Sequence, residues 1–263
     1  MANLKRFSLE GKVALVTGAA GLYGRAISEA LCEAGAYTFL GSRNLPNLQL
    51  LAEDLRKNGG GQAEAVELDQ GSEASMQQAI RKIEQHSGKL DILVNNAVVR
   101  SALFGWEHSL AEYDASLHVN ASGLFYLTHL AASLMKRQHC GSIINIGSMM
   151  GMVGVENANY TGTDYPTDHS PAYFFEKGGM VNFTRHAASI LGVDNIRVNC
   201  INPGGLQTPN HQEIFVKNYS ARTQLGRMAR HEDIKGIIIL LASDAASYIT
   251  GAIIPLDGGY TAK

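Results

Sequence analysis

The sequence is poor in charge, cysteine and proline, and each shortage excludes a class of protein. Charged residues occupy 17% of its 263 positions, against about 25% in an average globular chain. The 22 basic and 24 acidic side chains leave a net charge of −2, without the basic excess typical of proteins that bind nucleic acids or acidic membranes. Six prolines and no Gly-X-Y period exclude a collagen helix, and a hydrophobic content of 45% excludes a disordered chain.

Long hydrophobic runs and metal-binding patterns are also missing. The longest apolar run covers residues 237–242, far short of the roughly 18 residues of a transmembrane helix, and residues 1–12 lack the apolar core of a signal peptide. The three cysteines form no C-x-x-C pair, and their odd number is typical of free thiols in a reducing compartment. We therefore expect a soluble, cytoplasmic protein with no structural metal and no nucleic-acid or membrane partner.

The residue in excess is glycine, at 28 positions, and short apolar runs alternate with longer amphipathic ones. The apolar runs predict buried strands over residues 13–17, 37–40, 63–68, 92–95, 142–146, 197–201 and 253–256. The amphipathic segments predict helices over residues 25–34, 48–57, 72–86, 117–136, 172–191 and 233–243. This alternation predicts an α/β fold: one doubly wound, Rossmann-type domain over residues 1–263, with a seven-stranded parallel sheet flanked by helices.

Ligands of such a sheet bind at the carboxyl ends of its strands, so the residues after each strand are candidate contacts. After the first strand, Gly18, Gly21 and Gly24 lead directly into a helix. Glycine there lets backbone amides approach a pyrophosphate at a helix N-terminus. We count these glycines and the neighbouring Tyr23 as candidate cofactor contacts; an ordinary tight turn is the alternative.

The ends of the next three strands suggest which dinucleotide would bind. Ser42 and Arg43 stand where an acidic residue would hold a ribose 2′-hydroxyl. A carboxylate would repel a 2′-phosphate, whereas these two side chains can bind one. The pair favours NADP over NAD, unless Arg43 is only a solvated loop cation. Asp69 and Asn96 follow the third and fourth strands and suit contacts to adenosine, or loop hydrogen bonds.

Ser148 follows the fifth strand, and Tyr173 and Lys177 lie four residues apart on one face of the next predicted helix. A free tyrosine has a pKa near 10, too high for an efficient base at neutral pH. A lysine ammonium one turn away favours the phenolate. The Ser148 hydroxyl can then hold a substrate oxygen while Tyr173 exchanges its proton, and a nicotinamide cofactor moves the hydride.

Through these residues the sequence resembles the short-chain dehydrogenase/reductase family over essentially the whole chain. The resemblance implies that Tyr173 is the catalytic tyrosine, Lys177 its partner and Ser148 the active-site serine. It also implies that Asn120 completes a proton relay. Lys177 would in addition hold the nicotinamide ribose, and Thr208, in the turn with Pro203 and Gly204, would bind the carboxamide.

Two departures from the family pattern lie in the glycine-rich turn and after the fourth strand. Leu22 stands where compact members have a further glycine, which leaves the Gly18-x-x-Gly21-x-x-Gly24 spacing of the extended nucleotide-sugar epimerases and dehydratases. That branch adds a substrate domain of roughly a hundred residues, for which this chain has no room, so we favour the compact form. Val98 replaces the glycine of the usual N-N-A-G.

A third departure is the interval of 25 residues between Ser148 and Tyr173, about twice the usual family spacing. Because catalytic groups fix both ends, the additional segment must lie over or beside the substrate pocket. It resembles an insertion of gluconate 5-dehydrogenase-like members; a solvated surface loop is the alternative. Its polar side chains suit a hydroxylated substrate; the segment covers residues 156–171 and includes Tyr160, Asp164, Tyr165, Asp168 and His169.

These observations predict an NAD(P)-dependent oxidoreductase that interconverts a secondary alcohol and a ketone on a sugar, sugar acid or polyol. The alternatives are a nucleotide-sugar epimerase or dehydratase, and a non-catalytic protein that senses a dinucleotide. The resemblance also implies a homotetramer, in which the apolar run 237–242 would be either interface or core.

Overall fold

A computed structural model describes residues 2–58, 61–99, 105–107, 109–167 and 169–262. Its centre is one parallel sheet with the strand order β3-β2-β1-β4-β5-β6-β7. The order reverses between β1 and β4, which makes the sheet doubly wound. The strands are β1 Val13–Thr17, β2 Tyr37–Ser42, β3 Gln62–Glu67, β4 Ile92–Asn95, β5 Gly141–Ile146, β6 Ile196–Pro203 and β7 Ile253–Leu256.

All seven predicted strands are confirmed to within a few residues. The β1, β4 and β5 strands are buried along their whole length, as covered parallel sheets require. The helices are α1 Ala2–Lys5, α2 Gly24–Glu33, α3 Leu45–Asn58, α4 Glu73–Ser87, α5 Leu110–Leu117, α6 Leu124–Arg137, α7 Pro171–Leu191, α8 Glu213–Ser220 and α9 Lys235–Ala242.

Apart from the four-residue α1, which was not predicted, two helices differ from the prediction. The helix expected over residues 117–136 begins earlier, as α5, and passes through a π-helical segment, His118–Gly123, into α6. A capping box between Ser109 and Glu112 starts α5, and that Ser-x-x-Glu spacing was a usable signal. Helix α8 was missed, because its eight residues are too few to show a clear amphipathic period.

The core lies in two layers, one on each face of the sheet. Helices α2, α3 and α9 contribute to one layer, and α4, α6 and α7 contribute to the other. In α9, Ile238 and Leu241 are fully buried in the first layer, so the apolar run 237–242 belongs largely to the core. Among the described residues, no helix has the length and apolar character needed to span a bilayer.

Candidate functional site

The carboxyl edge of the sheet opens into three connected hollows. The first, which we call the glycine cleft, has a volume of about 890 Å³ and runs from Gly18 to Thr208. The second, the side recess, continues it past Ser42 and has a volume of about 570 Å³. The third, the aromatic cavity, has a volume of about 480 Å³ and meets the glycine cleft at Ser148 and Tyr173.

The glycine-rich turn is shaped by close backbone contacts. Gly18 has a φ of +61°, and a Cβ there would lie 2.9 Å from the Ala97 Cα. The Gly21 amide donates a hydrogen bond of 2.9 Å to the Gly18 carbonyl. Gly24 is buried at the start of α2, where a Cβ would lie 2.1 Å from the Gly18 oxygen. Gly24 therefore shapes the turn from behind, whereas Gly18 and Gly21 line the cleft.

Asn96 ties the ends of β1 and β4 together at the floor of the cleft. Its Nδ2 donates to the carbonyls of Thr17 at 2.9 Å and Gly18 at 3.0 Å. The Thr17 hydroxyl in turn accepts the backbone amides of Asn96 and Ala97. The amide side chain of Asn96 therefore donates its hydrogen bonds to the backbone. Such loop hydrogen bonds were the alternative to a contact with adenosine.

The side recess gathers the residues that follow β2 and β3. Ser42, Arg43 and Asp69 all line it. Arg43 is exposed, and among the described residues it forms no ion pair. Asp69 accepts the Gly71 amide at 2.9 Å, so it also stabilises its own turn. The recess thus presents one cation beside a serine hydroxyl.

Ser148, Tyr173 and Lys177 come together where the glycine cleft and the aromatic cavity meet. Ser148 Oγ accepts the Met150 amide at 3.1 Å, so its own hydrogen can be donated into the cavity. Lys177 is 5% exposed, its Nζ donates to the Ile146 carbonyl at 2.8 Å, and the same nitrogen lies 5.8 Å from the Tyr173 ring centroid. The lysine ammonium therefore lies near the ring of Tyr173, and Ser148 and Tyr173 line both hollows.

Pro203, Gly204 and Thr208 line the far end of the glycine cleft. The Thr208 amide donates to His211 Nδ1 at 3.0 Å. Burial lowers the pKa of His211, which favours the neutral ring in which Nδ1 is an acceptor. The sequence did not identify His211, whose signal would have been its place three residues after Thr208 in the turn.

Asn120 lines neither the glycine cleft nor the aromatic cavity; it lies buried in the π-helical segment. Its Oδ1 accepts the Val99 amide at 2.8 Å, and its Nδ2 donates to the Val99 carbonyl at 2.8 Å and to Glu176 Oε2 at 2.9 Å. Glu176 Oε1 accepts the Ser116 hydroxyl at 2.6 Å. Sequence reasoning missed both Ser116 and Glu176, although Glu176 directly precedes Lys177.

The segment over residues 156–171 supplies a large part of the aromatic cavity. Tyr160, Tyr165 and His169 line the cavity, and Asp168 lies outside the described residues. The Tyr165 hydroxyl accepts the Gln212 amide at 2.9 Å, which anchors the segment to the start of α8. The remaining walls are more apolar than the sequence suggested, with Val99, Met149, Met150, Phe174 and Phe215 among them.

The residues of the cleft fit a dinucleotide. Gly18 has a left-handed φ that disfavours a side chain and lines the cleft with backbone atoms alone, and the buried Tyr23 hydroxyl beside the same cleft has no hydrogen-bond partner in the described part of the chain. Burial, and then Asp233, raises the pKa of Tyr23, so this group is a neutral donor. A dinucleotide bound there would supply the hydride donor or acceptor.

Comparison with known proteins decides the family. A family model described as enoyl-(acyl carrier protein) reductase matches residues 18–261. The chain belongs to the short-chain dehydrogenase/reductase family. It is 34% identical over 256 residues to 3-oxoacyl-[acyl-carrier-protein] reductase of Aquifex aeolicus, covering 95% of this chain and 98% of that protein. It is 33% identical to D-threitol dehydrogenase of Mycolicibacterium smegmatis, covering 98% of this chain and 95% of that protein.

A solved structure of the same shape is a gluconate 5-dehydrogenase from Burkholderia cenocepacia, in complex with NADP and tartrate. Its TM-score is 0.87 at 28% identity, with 99% of each chain covered. As a member of the short-chain dehydrogenase/reductase family, the chain is an NAD(P)-dependent oxidoreductase that acts on CH–OH groups. The relatives named here are reductases and dehydrogenases matched over nearly their full length, which favours an oxidoreductase over an epimerase.

Proposed function

We propose that the protein is an NADP(H)-preferring oxidoreductase that interconverts a secondary alcohol and a ketone on a sugar, sugar acid or polyol. The observation that carries the proposal is the segment over residues 156–171. It brings phenol and imidazole groups into the cavity that Ser148 and Tyr173 also line, and aromatic faces together with such groups suit the mixed apolar and hydroxylated surface of a sugar. The threitol and gluconate dehydrogenase relatives support the same substrate class.

The catalytic roles follow from the contacts of four side chains. Ser148 donates a hydrogen bond to the reacting oxygen of the substrate, and Tyr173 gives or takes the proton at that oxygen. The Lys177 ammonium stabilises the phenolate form of Tyr173 and is itself anchored on the Ile146 carbonyl. Asn120 holds the backbone at Val99 through both of its polar atoms, so in this proposal its side chain positions the wall of the cavity.

The preference for NADP rests on Arg43 and Ser42 in the side recess. A 2′-phosphate there would contact a guanidinium and a hydroxyl, and no carboxylate directly follows β2 to repel it. These groups favour the 2′-phosphate of NADP over the free ribose hydroxyl of NAD. The gluconate 5-dehydrogenase relative, which was solved with NADP, supports this assignment.

We also propose that the chain is one catalytic domain over residues 1–263 and forms a homotetramer. The seven strands form one sheet, and both core layers pack on it. Leu110, Phe125 and Phe175 are large apolar side chains exposed on α5, α6 and α7, and a subunit interface would remove them from water.

A parallel screen tests the function. Purified protein is assayed with NADP and with NAD against a panel of alditols, aldoses and aldonates, and in the reverse direction with the matching ketones. We expect turnover on at least one hydroxylated substrate and a higher kcat/KM with NADP. Absence of turnover across the panel would contradict the proposed class of sugar, sugar acid or polyol substrates. A higher kcat/KM with NAD would contradict the proposed role of Arg43 in binding the 2′-phosphate.

A second function is favoured by the apolar walls of the aromatic cavity. Met149, Met150 and Phe215 would accept an acyl chain, and the Aquifex relative is a 3-oxoacyl reductase. The same screen therefore includes a 3-oxoacyl thioester. Reduction of the thioester at a much higher kcat/KM than any sugar or polyol would favour this second function.

A further inference from the structure

Glu176 is a buried carboxyl group in the wall of the substrate cavity, and no role assigned above uses it. It is 6% exposed and lies on α7 between Tyr173 and Lys177, one helical turn from the tyrosine. Ser116, Ser148, Tyr173 and Glu176 all line the aromatic cavity. A group bound at the catalytic serine and tyrosine therefore shares one enclosure with this carboxyl.

The contacts of Glu176 are those of an ionised carboxylate. Oε1 accepts the Ser116 hydroxyl at 2.6 Å, and Oε2 accepts Asn120 Nδ2 at 2.9 Å. The first distance is typical of a hydroxyl bonded to a charged oxygen, and both oxygens act as acceptors, as the ionised form requires. Asn120 is itself fixed on Val99, so the carboxylate is held in one position.

The charge of Glu176 has little compensation on the substrate side. Lys177 is its nearest counter-charge and bonds toward β5 at Ile146. Among the described residues that line the aromatic cavity, Glu176 supplies the one carboxylate, and there is no lysine or arginine. The lining histidines are His169 and His211, and burial favours the neutral form of His211. These described lining residues therefore favour a negative potential around Glu176.

The cavity is small enough for that potential to extend across it. A sphere with a volume of about 480 Å³ has a diameter of about 10 Å, which is comparable with the Debye length of about 8 Å at physiological ionic strength. Its walls include Met149, Met150 and Phe215, which provide little dielectric screening. A second carboxylate in the cavity is therefore repelled, whereas a neutral hydroxyl can donate a hydrogen bond to Glu176.

We propose that Glu176 determines specificity, by restricting the substrates of this site to neutral polyols and sugars and excluding sugar acids. This inference rests on the proposed function and narrows it. In this proposal the chain accepts neutral substrates and thereby differs from its gluconate 5-dehydrogenase relative. An ammonium group on the substrate would be accepted as well, because the carboxylate attracts it.

Matched pairs of substrates at pH 8 test the proposal. Each pair consists of an alditol and the aldonate of equal chain length, assayed with wild type, Glu176→Gln and the control Asp114→Asn. Asp114 is exposed on α5 and does not line the cavity, so its substitution removes one negative charge nearby without changing the enclosure. Circular dichroism and thermal unfolding check that each variant is folded.

We expect wild type to favour the alditol by about tenfold or more in kcat/KM, the ratio that corresponds to about 1.4 kcal/mol. Glu176→Gln should raise kcat/KM for the aldonate by about the same factor, and Asp114→Asn should leave the ratio unchanged. A wild-type preference for the aldonate, or an unchanged ratio in Glu176→Gln, would overturn the proposal.

A binding measurement keeps this test independent of turnover. Threitol and tartrate have the same carbon chain and differ in the groups at its ends, so calorimetric titration of the protein loaded with NADPH compares a neutral ligand with a dianion. Wild type should bind threitol more tightly, and Glu176→Gln should bind tartrate more tightly than wild type does. If no substrate turns over but this difference is found, the proposed function fails and the specificity inference stands. Equal binding of both ligands by both proteins, or no binding of either, overturns the inference.

Discussion

The glycine cleft and the aromatic cavity lie side by side at the carboxyl edge of one sheet, yet they are built differently. The cleft is formed by short segments that each follow a strand, and its shape depends on backbone contacts such as those of Gly18 and Gly24. The cavity is formed by side chains from separate parts of the chain, among them Val99, Glu176 and Phe215. The candidate cofactor site is therefore encoded locally, whereas the candidate substrate site is assembled by packing.

Tyr173 is shared by both hollows, so its removal should have the largest effect. Tyr173→Phe keeps the ring but removes the group that exchanges a proton with substrate, and we expect kcat to fall by about 10²- to 10⁴-fold. Cofactor affinity should change far less, because the cleft keeps its other contacts. Steady-state kinetics and cofactor titration measure the two effects.

Tyr248→Phe makes the same chemical change on a fully exposed tyrosine and is the control. A near-normal kcat for Tyr173→Phe would remove the tyrosine from its proposed role and leave Ser148 as the proposed catalytic group that lines both hollows.

The backbone construction of the cleft is tested by Gly24→Ala. The new Cβ would lie 2.1 Å from the Gly18 oxygen, so the turn must shift, and we expect a loss of about 1–3 kcal/mol in the free energy of unfolding. NADP(H) affinity should fall as well, while the aromatic cavity stays unchanged. Gly236→Ala on α9 is the control. A Cβ at Gly236 would have no neighbouring atom within 4 Å, so this variant should be neutral or slightly stabilising. Equal unfolding free energies for the two variants would contradict the close contact.

The side recess is tested by Arg43→Ala. If the guanidinium binds a 2′-phosphate, its loss should weaken NADP binding by about tenfold, as for a charge-assisted hydrogen bond at an exposed site. NAD binding in the same variant is the internal control and should change little. A parallel loss of affinity for both cofactors would mean that Arg43 supports the loop and does not select the cofactor.

The smallest effect concerns the pH dependence of stability at Glu176. Burial raises the pKa of this carboxyl above its ordinary value of 4.5, and the bonds from Ser116 and Asn120 and the charge of Lys177 oppose the shift. Between the unfolded and folded pKa values the folded protein therefore binds more protons than the unfolded chain. The stabilisation is fully present below pH 4.5 and is lost as the pH rises through the folded pKa.

Glutamine does not titrate, so the unfolding free energy of Glu176→Gln relative to wild type should increase with pH. Urea unfolding at pH 4.5 and pH 7.5 measures this difference. Asp114→Asn provides the background slope for loss of an exposed carboxyl. If the unfolding free energy of Glu176→Gln relative to wild type decreased with pH, folding would lower the pKa of Glu176 and not raise it.

Several features of the site could be predicted because they depend on neighbours in the chain. The seven strands follow from apolar runs, and Gly18, Gly21 and Ser148 follow strands directly, so a strand boundary is enough to locate them. Tyr173 and Lys177 share a helix face because of the helical period. The Ser-x-x-Glu signal at Ser109 shows that the start of α5 was also within reach of the sequence.

Other features required contacts between distant segments. Asn120 was identified by resemblance, but its bonds to Val99 and Glu176 arise only when α7 packs against the π-helical segment. Glu176 looked like an ordinary charged residue on a helix, and its burial beside Ser116 cannot be read from its neighbours in the chain. The apolar walls contributed by α8 were missed together with that helix.

The parallel sheet, the glycine turn and the order of the candidate catalytic side chains follow from the sequence alone. Each of these depends on backbone conformation and residue period over a few positions, which local free energies control. Only the tertiary structure decided that residues 156–171 and α8 enclose a cavity and that one buried carboxylate lies within it. Burial and electrostatic potential are properties of all the surrounding atoms, and those atoms come from segments far apart in the chain.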